Sequence, residues 1–490
     1  MKKQSFLYGA TVLAVASILC KIMSAALKIP LDRFFLHEEG IGVYQSAYSV
    51  YNVFLAICVT GIPIALSSLV AGKNQDEAAD FSYSTFVLVT LFSAVSAAVL
   101  FIFADPLARI LSGGGLPVAA PSLRVLCIAL LVMGFISSRR GYFQGMENMT
   151  PSAISQLAES FLKVVLGIGI CAVAVKKGVA AGSAGALCGV TAGTIASAIV
   201  LEVFYRKARP PKGVFSAKKG IEVIKISIPM TLGAFAFTAV MLADTLSVPA
   251  LLAQIGTEEI DRLKMFGYLT RANTVYNLPA TIISAFTASA VPALAAKRGD
   301  SKLLCENAVK AVKLIFLAAI PCGLGMMLFS GDIIGFLYSS KEFSALLSLA
   351  GVMVLIMPYV QTTTAMLQTV GTVWKPIIVS GCAVVLKIAL NFFLVKHLGI
   401  YGAPVATIAA FIPAMVINTR MLSDKVKLSG SGKEILKITL CGAVSCGAAK
   451  LLYEMTGGTL MLLTSLCVAA VIYLVLTVAT GCITKKEFFQ

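Results

Sequence analysis

Apolar runs of about 20 residues, the length that crosses a hydrocarbon core of about 30 Å, recur along the chain from Phe6 almost to its end. The runs are continuous and do not alternate with polar residues. Backbone groups in lipid must be satisfied within each segment, so the pattern predicts helices and not barrel strands. About fourteen are expected, over 6–30, 43–72, 81–104, 117–139, 152–175, 184–205, 221–252, 265–295, 305–329, 343–368, 376–396, 401–422, 434–455 and 458–483. The fold class is all-α, a polytopic membrane protein. The opening MKKQ leads into an apolar stretch through Lys21 and Lys28 that lacks a small-residue cleavage site and is too long for a signal-peptide core, so it reads as a retained first helix.

The same pattern is written twice. Tyr51-Asn52, in VYNVFLAICVTGIP, recurs as Tyr276-Asn277 in VYNLPATIISAF, 225 residues later. Gln144 in YFQGMENMTP recurs as Gln368 in MLQTVGTVWKP, and Lys163 in FLKVVLGIG recurs as Lys387 in VLKIALNFF, both 224 residues later. An offset of six helices, an even number, keeps both halves in one orientation, a parallel repeat about an axis along the membrane normal. The expected organisation is an N-terminal six-helix lobe over 1–205, a basic linker over 206–220, a C-terminal six-helix lobe over 221–422, and a terminal helix pair with its tail over 423–490. Repeated halves in a membrane imply a transporter that rocks one half against the other around a substrate held between them.

Composition agrees with that placement. At 58% hydrophobic and 13% charged residues, with a mean hydropathy of +0.91 over 490 residues, the chain holds more apolar side chains than a soluble core could bury. The net charge of +17 does not indicate nucleic acid, because the basic residues are spread through short connections. Orientation accounts for them: with a cytoplasmic N-terminus, the even-numbered connections hold roughly 22 Lys and Arg against about 8 outside, including Arg206, Lys207, Arg209, Lys212, Lys218 and Lys219 of the linker. Both termini are expected in the cytoplasm. Twelve scattered cysteines without C-x-x-C spacing, and two histidines, His37 and His397, in expected outer loops, support neither a disulfide framework nor a zinc site.

The chemistry is carried by the few charges that fall inside apolar runs, each costing about 2.5–3.5 kcal/mol to insert and therefore turned toward the bundle interior or a wet cavity. The first helix carries Lys21 and Lys28, seven residues and about 10 Å apart along one face. Arg271, in GYLTRANTVYNLP, reaches a comparable outer-half depth on the eighth. Three such cations suit an anion, and a diphosphate best, since its oxygens can engage both Lys and Arg. The alternative has Lys28 snorkelling to the interface, Lys21 paired with a carboxylate and Arg271 interfacial. Glu159 and Lys163, four apart, are expected to neutralise each other. Lys387 has Ala383 one turn earlier instead, which leaves it to reach the cavity or Asp244, the mid-helix acid of the seventh helix. Asp244 is then a counter-ion or a ligand for a coupling cation, with Asn391 and Thr407 as neutral oxygens suited to sodium. GSGK at 430–433 lacks the frame of a phosphate-binding loop.

The segments KIMSAALKIPL, EEGIGVYQSAYSVYNVFLAICVTGIPIALSSLVA, RRGYFQGMENMTPSAISQ and YLTRANTVYNLPATIISAFTASAVPALA resemble the stage V sporulation protein B and lipid II flippase group of the multidrug/oligosaccharidyl-lipid/polysaccharide flippase superfamily, over essentially the whole chain. The resemblance implies movement of an undecaprenyl-diphosphate-linked sugar, such as the peptidoglycan precursor lipid II, to the outer leaflet of the bacterial plasma membrane. It implies that Lys21, Lys28 and Arg271 are cavity cations, with Lys standing in the first helix where Arg is usual; the change keeps the charge and loses the bidentate fork. It further implies a lipid-tail groove formed by the terminal pair, coupling to sodium or to membrane potential with Asp244 as candidate, no other cofactor, and membrane lipids and cell-wall synthesis proteins as neighbours. A cation-coupled multidrug exporter of the same superfamily is the rival reading, and the lysines of the first helix would repel its substrate. An enzyme acting on the same lipid needs a catalytic acid or metal facing a cavity; the expected outer-loop acids Glu38, Glu39, Glu258, Glu259 and Asp261 form no such arrangement.

Overall fold

The computed structural model describes residues 6–56, 61–295, 301–425 and 431–482. The opening MKKQ, the start of the GSGK segment and the tail beyond 482 lie outside the described residues. Seventeen α-helices follow one another there and no strand does: α1 (Phe6–Pro30), α2 (His37–Leu55), α3 (Ile62–Val70), α4 (Gln75–Ile102), α5 (Ala104–Leu111), α6 (Ala120–Gly145), α7 (Thr150–Ala174), α8 (Val179–Ala208), α9 (Ala217–Gln254), α10 (Glu259–Ala295), α11 (Ser301–Leu328), α12 (Ser330–Tyr338), α13 (Ala345–Thr369), α14 (Trp374–Leu398), α15 (Gly402–Ser423), α16 (Ser431–Thr456) and α17 (Thr459–Ala479). The chain is all-α, as its pattern requires. Large apolar side chains point outward along whole helices, among them Val95, Val99, Phe101 and Ile102 of α4 and Leu474, Val475 and Val478 of α17. Exposure on that scale is tolerated in lipid and not in water; this is a multi-pass membrane protein.

Eleven stretches among the described residues are long and apolar enough to cross a membrane. Two of them, Thr11–Leu55 and Trp374–Ser423, each contain two helices that run on with little interruption. The polar α10, which carries Glu259, Asp261, Arg262, Lys264 and Arg271, is not among the eleven. The expected outer loop after the first helix is itself helical: a π-helical segment, Leu31–Leu36, follows Pro30, and α2 starts at His37. Proline lacks the amide hydrogen that the regular ladder needs, and a π segment absorbs the mismatch. His37, Glu38 and Glu39 therefore belong to α2, Glu259 and Asp261 to α10, and His397 to the last turn of α14, which corrects their placement in loops.

Packing divides the chain into two compact units, Met1–Thr270 with Asn391–Ile400, and Arg271–Leu390 with Tyr401–Gln490. In the first unit, α8 lies against α7 through glycines: a Cβ at Gly189 would collide with the backbone of Gly167, and one at Gly193 with the carbonyl oxygen of Glu159. This close approach is the small-residue packing of membrane helices. The linker is anchored in the same unit. Arg209 turns left-handed after α8, with Pro210 and Pro211 behind it, and the strand-like stretch that follows is held by α4: Asp80 accepts from the Val214 amide at 2.6 Å and from Lys219 at 2.7 Å, and Ser84 from the Ser216 amide at 2.9 Å.

In the second unit the terminal pair packs α16 on α11 and α17, and Asp332 of α12 ties it down. The carboxylate accepts from Lys450 of α16 at 2.9 Å and from Lys341 at 3.2 Å. Burial works to raise the Asp332 pKa, but the two ammonium hydrogen bonds outweigh it and hold the carboxyl below its usual range. A depressed folded pKa contributes stability above the ordinary aspartate value of about 4, and that contribution is lost as pH falls through the lower folded value. Asp332→Asn is expected to cost about 1 kcal/mol at neutral pH. Thermal unfolding of the two proteins from pH 7 to pH 3 should show their gap narrowing in acid; a gap constant with pH would contradict the bridge.

Candidate functional site

The first unit gathers cations around one tyrosine. Lys28, in the last turn of α1, donates to Gln45 Oε1 at 2.8 Å, and its Nζ lies 5.8 Å from the centre of the Tyr48 ring. Lys163 of α7 donates to Tyr48 Oη at 3.0 Å, with its Nζ 4.6 Å from the same ring centre. Neither lysine has an ion pair among the described residues. The geometry follows from the helices: α1 packs on α7, with Ser17 Oγ donating to Gln156 at 3.3 Å, and Gln45 and Tyr48 are three apart on α2, so they present one face. Tyr44, one turn earlier, stacks on Tyr48 with ring centres 5.6 Å apart. Lys21 is exposed.

The expected Glu159–Lys163 pair does not form. Arg140 takes Glu159 instead, donating to its Oε2 at 2.9 Å and also to Ser197 Oγ at 2.9 Å and Ser155 Oγ at 3.2 Å. A guanidinium offers several donors in a fixed fork, and this one bridges α6, α7 and α8 where a lysine could satisfy fewer acceptors. Sequence reasoning missed Arg140 because it lies one residue beyond the expected span of 117–139, on α6, which runs on to Gly145. The available signal was an arginine closing an apolar run, followed by an acid nineteen residues later in the next one.

Asp244 of α9 and Asn391 of α14 come together: Asn391 Nδ2 donates to Asp244 Oδ1 at 3.0 Å and to Ser247 Oγ at 2.9 Å. In the second unit, Lys387 is fully buried and its ammonium donates to Thr407 Oγ1 and to the carbonyl of Ala403. Thr407 in turn donates to Ala403 O at 3.1 Å. Thr407 thus accepts from the Lys387 ammonium while donating to the backbone. Arg271, 2% exposed, sits with its guanidinium 5.0 Å from the ring centre of Tyr338. It belongs to the second unit, and Lys21 and Lys28 to the first. The two repeat-related lysines therefore have different surroundings, a phenol for Lys163 and an aliphatic hydroxyl with a backbone carbonyl for Lys387.

Comparisons with known proteins agree in fold and in sequence. Along 99% of its length the chain is 24% identical to stage V sporulation protein B of Bacillus subtilis (strain 168), covering 98% of that protein. It is 24% identical over 85% of its length to lipid II flippase MurJ of the same organism, covering 82%. Among solved structures, lipid II flippase MurJ in an inward closed conformation matches with a TM-score of 0.75 at 15% identity, over 95% of this chain and 98% of that one. An inward-facing multidrug resistance MATE family transporter of the MOP superfamily matches with a TM-score of 0.67 at 16% identity, over 86% and 99%. The family described as polysaccharide biosynthesis protein matches residues 6–297, more than half of the sequence, and this chain belongs to it.

Proposed function

We propose that this protein is a transporter, not an enzyme, and that it flips an undecaprenyl-diphosphate-linked sugar, lipid II or a related polysaccharide precursor, to the outer leaflet by alternating access. The observation that carries the reading is Lys28: a cation on a membrane helix, half-buried, whose hydrogen-bond partner is the neutral Gln45. A charge kept in lipid surroundings without a counter-ion calls for a ligand that supplies one. The likeness to flippases in sequence and fold supports the same reading. A cationic drug would meet repulsion at this lysine. In this scheme both termini are cytoplasmic, Lys21, Arg271 and Lys387 serve the anionic head group, and Asp244 with Asn391 is the pair through which a coupling cation would act.

The test is outer-leaflet exposure of lipid II in cells depleted of their own flippase and supplied with this protein at matched expression. The wild type should restore exposure, Lys28→Ala should reduce it at least tenfold, equivalent to about 1.4 kcal/mol of lost recognition, and Lys28→Arg should retain most of it. Lys28 is a cleaner probe than Arg271, whose side chain is buried against Tyr338 and would leave a cavity when truncated. Full flipping by a well-expressed Lys28→Ala protein would refute the head-group assignment.

A further inference from the structure

Pro321 lies inside α11, where it has no amide hydrogen to give to the carbonyl of Leu317 one turn earlier. The terminal pair meets the helix at that place. Tyr473 of α17, 5% exposed, donates its hydroxyl to Leu317 O at 2.7 Å, and Cys446 of α16 turns its thiol to Pro321 O at 3.7 Å. Gly442 of α16 comes so close that an added Cβ would stand 2.8 Å from Ile320 Cγ2 and 3.2 Å from Leu324 Cδ1, on either side of the proline along the chain. Just beyond, α13 crosses backbone to backbone: a Cβ at Gly323 would lie 2.7 Å from the carbonyl oxygen of Gly351, and one at Gly351 would lie 2.6 Å from that of Gly323. Ser348 of α13 also donates to Met327 O at 3.2 Å. Past the proline α11 is thus tied to α13, and at the proline to the terminal pair.

From this arrangement we infer that α11 is hinged at Pro321 and that the terminal pair is the catch on the hinge: Tyr473 holds the helix in its present shape, and a change of bend requires Tyr473 to release Leu317. A neighbouring helix that serves a carbonyl freed by proline is ordinary in membranes, but here the missing bond is followed by Gly323 and Gly325, which makes 321–325 a stretch whose backbone dihedrals change at little cost. The hold itself is one hydrogen bond from one side chain, weak enough to be broken and remade in each cycle. The residue 224 positions before Pro321 is Ala97, and α4, on which it lies, contains no proline, so only one half of the repeat has the hinge. Tyr473 is then a positioning residue that acts through α11. The inference concerns how the second unit changes shape and not which lipid-linked sugar is carried.

The experiment is amide hydrogen exchange of the purified full-length protein in lipid nanodiscs, as wild type, Tyr473→Phe, Pro321→Ala and the double variant. Exchange over residues 318–325 should rise by about tenfold or more in Tyr473→Phe. The same change made on Pro321→Ala should move it by less than about threefold, because the restored amide at 321 serves Leu317 in place of the phenol. No rise, or an equal rise in both backgrounds, would make Tyr473 an ordinary packing contact and overturn the inference. Pro321→Ala should also slow delivery of the lipid-linked sugar to the outer leaflet by about tenfold or more, with thermal stability undiminished. Delivery at the wild-type rate by that variant would show that α11 does not bend during transport, which overturns the hinge. A wild type that delivers no lipid-linked sugar would overturn the flippase reading alone, since exchange reads the catch without substrate.

Discussion

Replacing Arg140 by methionine is expected to lower the unfolding free energy by about 1–3 kcal/mol, because it leaves Ser155, Ser197 and the half-buried carboxylate of Glu159 without their donor. Arg140 is 4% exposed and holds α6, α7 and α8 together through Glu159, Ser155 and Ser197. Removing the guanidinium costs more than the net worth of the pair, since the surviving carboxylate keeps part of its desolvation cost. The double variant Arg140→Met/Glu159→Gln should therefore recover part of the loss, which thermal unfolding of detergent-purified protein can read. A single variant within about 1 kcal/mol of wild type would show that glycine-mediated packing of α8 on α7, and not the ion pair, sets the stability of this corner.

The Glu159–Lys163 case shows where the sequence is legible and where it stops. Helix positions follow from apolar run length, and α7, α8, α14 and α15 fall within a few residues of their expected spans, because in lipid the backbone has no other way to satisfy its polar groups. The charges inside those runs are equally visible, since each is rare and costly. Their partners are not. A local rule assigns Glu159 to Lys163, but Arg140 reaches it from another helix with more donors, an approach that the i,i+4 rule does not weigh. Lys163 and Lys387 occupy matching places in the repeat, yet one meets Tyr48 and the other Thr407, because what surrounds a helix is set by tertiary packing. The same limit applies to Thr407: its spacing from Asn391 is legible in the sequence, and the Lys387 ammonium that donates to its hydroxyl is not.

Gly267→Val is expected to abolish transport while leaving the protein inserted and folded. A Cβ at Gly267 of α10 would run into the carbonyl oxygen of Glu38 in α2, and one at Gly42 of α2 would run into the carbonyl oxygen of Leu263 in α10. Both collisions are with backbone, which cannot rotate aside as a side chain can, so the starts of α2 and α10 must separate to admit even a methyl group. Close backbone approach through glycine is how membrane helices make contacts that are tight and still breakable, since association there relies on packing and not on a hydrophobic drive. All four residues lie in the first compact unit, and α2 also carries Gln45 and Tyr48, which hold Lys28 and Lys163, so a valine that pushes α2 off α10 displaces those two partners. Outer-leaflet exposure of the lipid-linked sugar in flippase-depleted cells should then fall at least tenfold for Gly267→Val. Gly447→Val, at a position of α16 with nothing within 4 Å of its added Cβ, should transport like wild type. Undiminished transport by Gly267→Val would mean that the close approach of α2 to α10 does not position the side chains that transport needs.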